Sequence, residues 1–134
     1  IYQRIAAIRT DEHADQLEEE LIDRFGALTE PVKKIMQVAR LKNYARKLKI
    51  KSIIEKPAFV EICFDKAPNI EPENMLLAKK QFDNLLKFVP KQNTIQIKIT
   101  PINKKHIINL CLKVVKVLTG EKLQKMTLKK EEKK

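Results

Sequence analysis

The stretch that most constrains this chain is Glu20-Leu21-Ile22-Asp23-Arg24-Phe25-Gly26, followed after four intervening residues by Pro31-Val32. Before it, Leu17, Leu21 and Phe25 recur every fourth residue from Asp15 onward, so one helical face is apolar while the rest is acidic. Gly26 supplies a left-handed C-cap, which other residues adopt only at a cost. Glu30-Pro31 restarts a helix, because Pro in the first turn lacks only an N–H that no helical carbonyl needs. Two helices joined by so short a link are expected to pack as an antiparallel hairpin.

The second helix is predicted to reach about Leu48. Val32, Ile35, Met36, Ala39, Leu41, Ala45 and Leu48 form its buried stripe; Lys33, Lys34, Arg40, Lys42, Arg46 and Lys47 cover its outside, with Tyr44 among them. Ahead of the hairpin, Tyr2, Ile5, Ala6 and Arg9 read as a short opening helix, and Thr10 or Asp11 as the cap of the next one.

After Lys49 the period changes from helical to alternating. Ile50 to Glu55 and Ala58 to Asp65 read as strands of one hairpin, turning at Lys56-Pro57. Glu71-Pro72 opens a helix through Phe82. Leu85 to Val89 and Thr94 to Thr100 then form a second hairpin, with Ile95, Ile97 and Ile99 inward and Gln96 and Lys98 outward. Asn103 is placed to cap a last helix in which Ile107, Leu110, Cys111, Val114, Val117 and Leu118 are buried, ending at Gly120. The expected class is α+β: an N-terminal helical hairpin, two antiparallel β-hairpins with an intervening helix, and a C-terminal helix packed on the sheet. One domain is expected over 1–126, with 127–134 a disordered Lys/Glu tail.

A chain of 134 residues, 43% hydrophobic, suffices for one core. It begins at Ile1 without Met and is expected to be a piece of a longer protein. No apolar run approaches the ~20 residues of a membrane span, so no membrane contact and a cytoplasmic setting are expected. Cys63 and Cys111 read as small buried hydrophobes rather than a bridge, consistent with a reducing compartment.

The chemistry of common enzymes is missing. With only Gly26 and Gly120, there is no glycine-rich phosphate loop and no nucleotide site of that kind built by this chain alone. His13 and His106 have no His or Cys at metal-ligand spacing, and no cofactor or catalytic residue is expected. What stands out instead is charge. Residues 1–31 hold three Lys/Arg against eight Asp/Glu, a balance of −5, so the remainder carries +16 of the overall +11. Asp11, Glu12, Asp15, Glu18, Glu19, Glu20 and Asp23 crowd one helix. The first of these favour the helix dipole, whereas Glu20 and Asp23 lie at its carboxyl end and oppose it. Spaced i,i+3, they project together. From the residues alone, either Arg24 satisfies Glu20 locally, or an external arginine cluster engages both carboxylates. The rival use of the chain is as a basic nucleic-acid-binding module, with Lys33, Lys34, Arg40, Lys42, Arg46 and Lys47 on DNA phosphates.

Tyr2-Gln3-Arg4-Ile5-Ala6, Glu20 to Gly26, Pro31-Val32, Val38 to Lys42 and Ala45 resemble the C-terminal domain of bacterial transcription-repair coupling factors, the Mfd family. The resemblance is close over residues 1 to about 50; beyond that only the order of elements corresponds. Thr29 stands where the family tends to have Pro, and Lys49 where it tends to have Gly. The resemblance implies a parent that is an ATP-driven double-stranded-DNA translocase, displacing stalled RNA polymerase and recruiting nucleotide-excision repair. It implies that this domain is a non-catalytic, autoinhibitory clamp. Glu20 and Asp23 would face basic residues of a UvrB-like N-terminal module of the same protein and so hide the surface that binds UvrA.

Overall fold

The computed structural model describes residues 2–120. Three helices come first: α1 (Tyr2–Ala6), α2 (Asp11–Phe25) and α3 (Glu30–Leu48). Strands β1 (Ile50–Glu55) and β2 (Phe59–Phe64) follow, then α4 (Pro72–Phe82), β3 (Leu86–Val89), β4 (Thr94–Lys98) and α5 (Ile107–Leu118). The strands form one antiparallel sheet in the order β1-β2-β4-β3, two hairpins joined through their inner strands. The α+β architecture is therefore as the alternation and helical periods predict. The tail expected at 127–134 lies outside the described residues.

Local chemistry explains where the elements begin and end. The Thr10 hydroxyl accepts from the His13 N–H at 3.0 Å and starts α2. Gly26 ends it with φ +81° and ψ −158°. That is not the left-handed helical conformation expected there but an extended region open essentially to glycine alone. Lys49, which closes α3, does adopt the left-handed helical conformation, at φ 57° and ψ 44°.

Two buried clusters share α3. Ile5, Ile8, Ala14, Leu17 and Leu21 of the opening segment pack on Met36 and Ala39 in its first half. Leu41 and Tyr44 in its second half join the larger core of Val60, Ile62, Phe64, Leu86, Ile95 and Ile97 with α5. Phe25 does not continue the α2 stripe: it is 66% exposed, and Leu28 from the connection packs on the cluster instead. A second correction concerns Asn103. Its side chain closes the turn after β4, accepting from the Thr100 N–H at 2.8 Å and donating to the Lys98 carbonyl at 2.9 Å. A short 3-10 turn over Lys104–His106 leads into α5 without that cap.

Across the sheet, Ile53, Ile62, Ile95 and Phe88 stand opposite one another in one row, and Glu55, Val60, Ile97 and Leu86 in the next. Glu55 thus puts a charge on the core-facing side of an edge strand, and the pairing is bulged between Ile50 and Ser52. Both features discourage a further strand from adding to that edge. Cys111 is buried and Cys63 half-buried, both as free thiols; Cys63 donates to Glu61 Oε1 at 3.4 Å instead of filling the core.

Candidate docking surface at the end of α2

The acidic face of α2 divides into a satisfied half and an open half. Arg40, reaching from α3, donates to Asp11 at 3.2 Å, Asp15 at 2.7 Å and Glu18 at 2.9 Å, with only 14% of its side chain exposed. Burial works against its charge, but the bonds to Asp15 and Glu18 and the field of Asp11 prevail and hold the guanidinium above its ordinary range. Asp11 also accepts from the Tyr44 hydroxyl at 2.5 Å. These carboxylates fasten the hairpin together and are not available outward as a set.

The far end is different. Gln16, Glu19, Glu20, Asp23 and Arg24 line one shallow surface hollow, so the i,i+3 pair does share a face. Asp23 and Glu19 are exposed and make no ion pair or side-chain hydrogen bond with the described residues. Ile22 and Phe25, 44% and 66% exposed, lie within the same last turns. Negative charge left unneutralised by the described residues at a helix C-terminus is unfavourable for the isolated domain and suited to a cationic partner, and the exposed Ile22 and Phe25 of the same turns offer apolar surface on other sides of the helix.

Glu20 is already engaged. Both terminal nitrogens of Arg4 donate to its two oxygens, Nη2 to Oε1 at 3.1 Å, and Arg24 stands farther off at 3.9 Å. The Arg4 bonds, more than the nearby charges, hold the Glu20 carboxyl below the usual carboxylate range. The sequence offers only Arg24 as a partner within the domain, because Arg4 is sixteen residues away and meets Glu20 through the packing of the opening helices, which no periodicity reports. Ile22 and Phe25 were also missed as surface residues, since spacing placed Phe25 on the buried stripe.

The six basic residues proposed for phosphates do not form one open face. Arg40 points into α2, and Arg46 donates to the Ile8 carbonyl at 3.3 Å and to Asn43 Oδ1. Lys33 lies 3.5 Å from Glu30, and Lys47 sits 5.0 Å over the Tyr44 ring. Lys34 and Lys42 are exposed with no ion pair to the described residues. Tyr44, expected on the outside, is 1% exposed: its ring belongs to the core, so no base can stack on it. A groove of about 390 Å³ between α3, β1 and the start of α5 is mainly apolar, with Lys42, Lys51 and Glu55 at its edges.

A helical hairpin with an acidic, partly apolar tip, carried on a four-stranded antiparallel sheet, defines an α+β module whose distinctive chemistry lies on a surface rather than in a cleft. The chain belongs to the TRCF domain family, whose model matches residues 1–75. It is 29% identical over 119 residues to the transcription-repair-coupling factor of Borreliella burgdorferi, covering 88% of this chain and 11% of that protein. With the transcription-repair-coupling factor of Escherichia coli K12 it shares 40% identity over 52 residues, 39% of this chain and 4% of that one. The chain therefore corresponds to about a tenth or less of the length of these relatives. A crystal structure of the C-terminal domain of transcription-repair coupling factor has the same fold, with TM-score 0.73 and 22% identity over 92% of this chain and 80% of the other.

Proposed function

We propose that this chain is a non-catalytic regulatory domain, spanning about 1–126, of a cytoplasmic transcription-repair coupling factor. In this reading it latches onto a UvrB-like N-terminal module of the same protein and covers the surface that binds UvrA. The parent is then an ATP-dependent double-stranded-DNA translocase that engages stalled RNA polymerase. The observation that carries the latch is Asp23: an exposed carboxylate at the wrong end of a helix dipole, without an ion pair or side-chain hydrogen bond among the described residues, in the same last turns as exposed Ile22 and Phe25. Arginine forks suit such a surface, and the exposed ring supplies the apolar contact that charge alone lacks. Tethering within one polypeptide raises the effective concentration, so a modest contact suffices.

The test uses the full-length protein with Glu20 and Asp23 both changed to Ala. UvrA capture should rise several-fold while the circular dichroism of the domain is unchanged. Capture equal to that of the unsubstituted protein rejects the latch.

A further inference from the structure

We propose that Arg4 is an internal competitor for Glu20, occupying the carboxylate when the latch is open and giving way to a partner's guanidinium when it closes. This rests on the latch reading and adds the means by which its strength is set. The two terminal nitrogens of Arg4 meet the two oxygens of Glu20 as a fork, the arrangement an incoming arginine would also use. Two fully engaged forks cannot occupy one carboxylate edge at once, so bidentate closure on that edge of Glu20 requires exchange.

The pair is built for exchange rather than for stability. Its side chains remain 53% and 41% exposed, and ion pairs this open to water contribute little to folding. The position of Arg4 is nevertheless set by its neighbour: Ile5 is 1% exposed, inserted with Ile8 in the cluster against α2 and α3. Asp23, one turn from Glu20, has no such occupant among the described residues. Among the described residues nothing opposes a partner's cation at Asp23, whereas a partner's guanidinium takes the bidentate edge of Glu20 only by displacing Arg4. Since Arg4 belongs to α1, any displacement of that helix relative to α2 alters how strongly Glu20 is contested.

The experiment measures capture of purified UvrA by the full-length protein in an Asp23→Asn background, where a weakened latch makes capture measurable. Adding Arg4→Gln should lower capture about 1.4- to fivefold, the range expected for one exposed ion pair. Lys113→Gln makes the same change in net charge on the exposed side of α5 and should leave capture unchanged. Adding Glu20→Gln to Arg4→Gln should abolish the Arg4 effect, because the competition has lost its object. A residue that merely supported the fold would act oppositely, raising capture on removal. That outcome, or a reduction no greater than with Lys113→Gln, overturns the proposal. If Asp23→Asn and Glu20→Gln alone leave capture unchanged, the latch reading falls with it; if they raise capture and Arg4→Gln does not lower it, only the competitor role falls.

Discussion

The Tyr44 hydroxyl donates to the Asp11 carboxylate at 2.5 Å, so a ring buried in the main core reaches the first turn of α2. Tyr44 and Asp11 thereby join the two clusters that α3 carries, and Arg40 reinforces the joint through the same carboxylate. The first turn of α2, at the opposite end of the helix from Glu20 and Asp23, is tied by this polar contact to the core that α3 shares with the sheet.

Tyr44→Phe keeps the ring and removes the donor. A hydrogen bond to a charged, partly buried acceptor contributes about 1.5–3 kcal/mol. Urea denaturation should show a loss of that size with an unchanged m-value. A midpoint identical to that of the unsubstituted domain would mean that the hydroxyl does not fasten the hairpin.

Lys49 adopts a left-handed conformation with φ 57° at the end of α3, where a side chain costs about 1 kcal/mol or more relative to glycine. This is the position at which the resemblance leads one to expect Gly. Lys49→Gly relieves the crowding but loosens the unfolded chain, leaving a net gain of about 0.5–1 kcal/mol. The urea midpoint should rise; a fall would show that the local backbone is not strained.

Cys111 gives the domain a distinct response to alkali. Burial, with a smaller contribution from the charge of Glu55, pushes its thiol from an ordinary 9.0 up to about 12. In the unfolded chain the thiol ionises first, so the unfolded state binds fewer protons as pH rises past 9. The contribution of Cys111 is full below that pH and is lost progressively towards 12, with a slope of at most about 1.4 kcal/mol per pH unit. Stability measured from pH 9 to 11 should therefore fall more steeply in the unsubstituted domain than in Cys111→Ala. Parallel slopes would contradict the burial argument.

The fold was readable because its signals are short-range. The alternation at Ile95 and Ile97, the helical stripe through Met36 and Ala39, and the stops at Gly26 and Lys49 each depend on a few neighbouring residues. The acidic tip was visible for the same reason, as carboxylates crowded towards the wrong end of one helix. Its occupancy was not. Phe25 is exposed although it shares the spacing of Leu17 and Leu21, because spacing says which direction a side chain leaves its helix, not whether another element waits there.

By itself the sequence determined the order and type of the elements, the two hairpins and the placement of negative charge near Gly26. Only the tertiary structure decided which charges meet. Arg40 goes inward to three carboxylates, Arg4 crosses sixteen residues to Glu20, Tyr44 turns into the core, and Asp23 is left facing outward. Periodicity acts over one or two turns of backbone, whereas ion-pair choice depends on which helices come to lie side by side.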